Sequence, residues 1–155
     1  MARYRSILSV VLVLLATFLV SCGGPSVATA PPTYTQAQVE KIQTYVPEVQ
    51  AVSDRAAELQ RLIQTKQWVK VRNFIHGPMA EARLSMNYIT SNLLPQDQKS
   101  ARENVKNLLD HLVKVDQAAE VANYQQAVIN SQAAFSDLDK FLKLVPQPGT
   151  QAEES

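Results

Sequence analysis

The run from Pro95 to Leu144, PQDQKSARENVKNLLDHLVKVDQAAEVANYQQAVINSQAAFSDLDKFLKL, decides the fold. Its apolar residues recur in steps of three and four. Ala101, Val105, Leu108, Leu112, Val115, Ala119 and Ala122 make one stripe; Tyr124, Val128, Ser131, Phe135, Leu138, Leu142 and Val145 make the next. Such spacing places each set on one face of an α-helix. Leu108, Leu112, Phe135 and Leu138 are therefore expected to be buried. Pro95 suits the first helical position, where its missing N–H would have had no partner. Asp97 then lies near the positive end of the helix dipole. Ala122-Asn123 is the expected break between the two helices, and Pro146 and Pro148-Gly149 stop the second.

Two further stripes precede this pair. Val39, Ile42, Val46, Val49, Val52, Ala56, Leu59 and Ile63 form the first, interrupted by Pro47; Trp68, Val71, Ile75, Ala82, Met86, Ile89 and Leu93 form the second, with Pro78 near a vacant seam position. The reading is all-α: an up-down-up-down four-helix bundle over 35–146. Helix A is expected over 48–64 with a kinked or separate extension over 36–46, B over 66–93, C over 95–121 and D over 123–145. Residues 147–155 form a tail.

Composition agrees. The chain has 155 residues, 46% hydrophobic and only 4 Gly, which suits one helical domain better than a turn-rich sandwich. With 15 Lys+Arg against 14 Asp+Glu, it lacks the basic excess of a nucleic-acid binder. A single cysteine, Cys22, excludes an internal disulfide framework and a multi-cysteine metal site.

That cysteine has a setting. Arg3 and Arg5 precede an apolar run, Ile7 to Val20, which is shorter than the ~20 residues a spanning helix needs. A charged start and short apolar core read as a secretory signal over 1–21. Leu19-Val20-Ser21-Cys22 is similar to a bacterial lipobox, so Cys22 is expected to carry lipid and begin the mature chain. Residues 22–34 then read as a proline-rich tether to the membrane.

Chemistry-bearing motifs are sparse. There is no HExxH, phosphate-binding glycine loop or nucleophile elbow, and no enzyme is expected. His76 and His111 are equidistant from a B–C turn at 93–94, which would bring them to one level. An imidazole pair can bind zinc, with Asp110 or Asp116 assisting, although a stable site usually needs three or four ligands. The other unusual stretch is Arg72-Asn73-Phe74-Ile75-His76-Gly77-Pro78-Met79, followed by Arg83. A Gly-Pro pair inside a helix should kink or open it and expose the Phe74 carbonyl. Arg72, His76, Gly77, Pro78 and Arg83 would then form a shaped surface whose basic groups pair with a partner's carboxylates.

Trp68 opening helix B, IHGPM at 75–79, NLLPQDQ at 92–98 and LDKFL at 138–142 give the chain a recognisable order. It resembles the PsbQ family of photosystem II, in its cyanobacterial lipoprotein branch. That family commonly has Arg where this chain has His76. The resemblance, over about residues 48–145, implies an extrinsic subunit on the lumenal side of the thylakoid membrane. It implies photosystem II core and other extrinsic subunits as partners, with the membrane held through the lipid anchor and no nucleic acid bound. Such subunits stabilise the oxygen-evolving complex, shield its manganese–calcium cluster and help retain calcium and chloride; none of these is expected to bind the chain directly. Two other readings stand beside it: an envelope lipoprotein acting as a helical adaptor, and a metal- or ligand-binding bundle.

Overall fold

The computed structural model describes residues 32–148. The secretory segment, Cys22, most of the tether and the end of the tail lie outside that range. The fold is all-α, with no strand among the described residues. In chain order the elements are α1 (Gln36–Gln43), α2 (Val46–Ser53), α3 (Ala56–Gln64), α4 (Trp68–Phe74), a π-helical segment (Ile75–Met79), α5 (Ala80–Asn92), α6 (Pro95–Glu120) and α7 (Tyr124–Leu144).

Local chemistry places most boundaries. Thr35 and Gln38 form a reciprocal capping box at the start of α1. Pro95 occupies the first turn of α6 and Pro47 that of α2, where neither forfeits an intrahelical bond. Pro47 thus opens a helix instead of kinking one. The Asn123 side chain accepts the Gln126 N–H and caps α7.

Two reversals share one device. At the end of α3, Gln67 N–H donates to Leu62 C=O at 2.9 Å and Lys66 N–H to Ile63 C=O at 3.0 Å. At the end of α6, Asn123 N–H donates to Ala118 C=O at 2.7 Å and Ala122 N–H to Ala119 C=O at 3.3 Å. Both are Schellman caps, whose turning residue is left-handed. Lys66 (φ 53°) and Ala122 (φ 54°) fill a place that glycine fills more easily.

The helix expected over 48–64 is divided at Asp54-Arg55. Arg55 there donates its N–H to Val52 C=O at 3.1 Å, a tightened turn in place of the helical bond. Its guanidinium lies 4.8 Å from the centre of the Phe74 ring and bonds Glu58 at 2.8 and 3.0 Å.

Packing closes a circuit. α1 and α2 lie against α5, α3 against α4, α4 and α5 against α6, α6 along α7, and α2 and α3 against α7. The short reversal at 121–123 folds α7 back along α6 as a hairpin. Leu59, Ile63, Val71, Met79, Met86, Ile89, Leu108, Val115, Leu138 and Phe141 are fully enclosed. Leu108, Leu112 and Leu138 are buried as the stripes require.

The buried face of α7 is rotated from the expected one. Ala127, Asn130, Ser131, Ala134, Asp137, Leu138 and Phe141 are buried, whereas Phe135 is only partly covered and Tyr124 is exposed. Alanines on both helices (Ala101, Ala118, Ala119, Ala127, Ala134) form part of the core. A face built on such small side chains brings backbones close and moves Phe135 to the edge. Ala122, expected on the α6 stripe, is spent on the exposed turn. Tyr34, read as tether, is fastened: its hydroxyl donates to Asp97 at 2.6 Å and accepts the Leu94 N–H at 3.1 Å. Burial, then the Asp97 bond, push its phenol up to about 12.

Candidate functional site

The IHGPM stretch joins α4 to α5 without a break. Pro78 offers no N–H and its ring crowds the preceding turn. The chain accommodates it by winding Ile75–Met79 as a π-helix, with Ile75 and Met79 turned into the core. The expected kink is therefore a local widening, a feature common at functional sites. Gly77 has a φ outside the left-handed region, and a Cβ there would meet nothing within 4 Å. Neither conformation nor internal packing requires a glycine at that position.

Around this segment the basic residues divide their roles. Arg72 donates through Nε to Asp116 Oδ1 at 2.9 Å and through Nη2 to Oδ2 at 3.5 Å. His76 Nε2 lies 2.9 Å from the same Oδ1. The Arg72 hydrogen bond holds the Asp116 carboxyl below its usual range, against the opposing effect of burial, and the His76 bond adds to it. Arg83, half-buried one helical turn beyond the π-segment, has no ion pair or hydrogen bond among the described residues. Its charge is available to a partner; that of Arg72 is largely answered within the fold.

The two histidines serve different carboxylates. His111 Nδ1 lies 2.7 Å from Asp137 Oδ2, and Lys140 Nζ donates to Oδ1 of the same carboxylate at 3.4 Å. Asp110, the other suggested zinc ligand, bonds Lys106 at 2.9 Å. Among the described residues no cluster of three or more His, Cys, Asp or Glu could hold a metal ion. His76 and His111 thus bond two separate carboxylates, Asp116 and Asp137.

A groove of about 280 Å³ opens beside the π-segment. Ile75, His76, Ala80 and Arg83 form one wall; Leu109, Leu112, Val113 and Asp116 form the other. Leu109 and Val113 are 40% and 46% exposed, four residues apart on α6. Sequence reading passed over them because they fall outside the core stripe. That departure, two aliphatics one position past Leu108 and Leu112, was the available signal. A second groove of similar size lies between α3 and α7, walled by Ile63, Val128 and Phe135. Among the described residues no helix is long and apolar enough to cross a membrane. The arrangement offers charge pairing and apolar contact, the chemistry of docking.

Comparison with known proteins agrees with this picture. A family model described as PsbQ, oxygen evolving enhancer protein 3, matches residues 2–146. A relative named CyanoQ, from Synechocystis sp., is 41% identical over 148 residues, spanning 95% of this chain and 99% of that protein. On both grounds, the chain belongs to the PsbQ family.

Proposed function

We propose that this chain is an oxygen-evolving enhancer subunit of photosystem II, held on the lumenal side of the thylakoid membrane by lipid on Cys22. Its helices, arranged up-down-up-down, dock on the photosystem II core beside other extrinsic subunits, stabilise the oxygen-evolving complex, and help it retain calcium and chloride. Membership of the PsbQ family is the observation that carries this reading. The role is one of binding. A subunit with higher affinity for the assembled complex than for its parts stabilises assembly through that difference. Arg72, His76, Gly77, Pro78 and Arg83 are the proposed contact region, with Arg83 the group whose charge is still unanswered.

Affinity purification of the tagged chain from solubilised thylakoids tests the assignment. Recovery of photosystem II cores supports it; recovery of envelope assemblies without them favours the adaptor reading. A Cys22→Ala variant should lose acyl labelling and leave the membrane fraction, and undiminished labelling would overturn the anchor.

A further inference from the structure

We infer that the groove between the π-segment and α6 receives a short segment of a photosystem II protein in which an aliphatic or aromatic side chain stands beside a carboxylate. This rests on the reading that the chain docks on photosystem II. The groove's volume, about 280 Å³, is at the small end of ligand pockets and suits one or two side chains better than a cofactor. Its floor is core, Ile75 and Leu112, but its rim is exposed: Leu109 and Val113 face water on α6. These side chains are not needed to fill the interior, whose seam on α6 runs through Leu108, Leu112 and Val115. Covering them is a gain reserved for association.

Charge selects the partner's chemistry. The only carboxylate on the groove wall, Asp116, already receives Arg72 and His76. It has little to offer a basic partner. Arg83, a half-buried residue on the opposite wall and without an ion pair among the described residues, brings its charge to the same space. An unpaired guanidinium favours a carboxylate, which it can hold by two parallel bonds. An apolar anchor in the groove with an acidic neighbour at Arg83 satisfies both features. A basic or wholly apolar segment satisfies one at most.

Binding of the full mature chain to photosystem II core particles stripped of this subunit decides the matter. Leu109→Ser with Val113→Ser, and separately Arg83→Glu, should each weaken binding about tenfold or more, with Arg83→Lys between wild type and Arg83→Glu. Ile129→Ser, an equivalent loss at an exposed α7 site, is the control and should bind as wild type. Circular dichroism and Tm should be unchanged, since all four positions lie on the surface or half-buried. Saturable wild-type binding with groove variants within twofold of it overturns the groove. Equal weakening by Ile129→Ser overturns it too, as nonspecific apolar adhesion. Failure of the wild-type chain to bind overturns the docking reading itself.

Discussion

His111→Ala is expected to destabilise the fold by about 2 kcal/mol, by way of Asp137. The Asp137 side chain is 3% exposed on α7, and its shortest bond is to His111 Nδ1 at 2.7 Å. Lys140 remains as a second partner, but at 3.4 Å and from a side chain 60% exposed. Breaking a buried ion pair by removing one member costs ~3–5 kcal/mol, an upper bound here because the histidine bond does not depend on a charge. Leaving a buried polar group with reduced hydrogen bonding costs ~1–3 kcal/mol. The retained lysine and the partial exposure of the imidazole, 26%, place this case in the lower range. Asp137→Ala alone should cost less than His111→Ala, because it removes the charge that needs company. The double variant should then fall short of the sum of the singles by ~1–2 kcal/mol, within the range seen for contacting residues. Urea unfolding followed at 222 nm measures all three. Single effects below about half a kcal/mol with no coupling between the sites would refute the reasoning, and would mean that water already reaches Asp137.

Three other outcomes follow from the geometry. Leu112→Ala should cost roughly 2–5 kcal/mol and Leu108→Ala more, because Leu108 is fully enclosed whereas Leu112 borders a groove that water can enter; denaturant midpoints at constant m-value report the order. Ala122→Gly should stabilise by about half a kcal/mol or more, since relief of ~1–2 kcal/mol of left-handed strain exceeds the ~0.4–1 kcal/mol of added freedom in the unfolded chain; a lower Tm in that variant would contradict the Schellman cap. Tyr34 should ionise late: its phenol, raised from 10.0 to about 12, contributes stability that is full below pH ~10 and is lost as pH climbs toward 12. Absorbance at 295 nm should therefore show a late-titrating component that Tyr34→Phe removes.

Local rules were legible wherever a backbone group had to be satisfied nearby. Pro95 at the head of α6, the end of the first stripe at residue 64 and the break at Ala122-Asn123 follow from residues within a few positions of each boundary. The α6 stripe was legible as well, because its core side chains are large or strictly periodic. The α7 face was not. Burial there depends on how close the partner helix comes, and the alanines permitting that approach are divided between α6 and α7. Arg55, at the break in the first long helix, lies over a ring some twenty residues downstream, and Tyr34 is fastened by Asp97 at a separation of 63 residues. The site divides along the same line. The Arg72–His76–Arg83 cluster was visible as sequence, but the pairing that retires Arg72 and leaves Arg83 runs through Asp116, over 40 residues away.

That division of charge fits an anchored protein in particular. A groove of about 280 Å³ with one available guanidinium makes a weak contact if the chain is free in solution. On the proposed anchoring, however, only the residues from Cys22 to Tyr34 separate lipid from fold, because Tyr34 is already tied to Asp97 and Leu94. At ~3.3–3.6 Å per extended residue, that length keeps the helices within roughly 40 Å of the membrane surface. A short tether turns docking into a nearly intramolecular event, with an effective concentration in the millimolar range. A contact that is modest by itself then suffices for occupancy, while anchor loss and groove loss should each release the subunit only in part. Cys22→Ala combined with Arg83→Glu should accordingly lose photosystem II far more completely than either change alone.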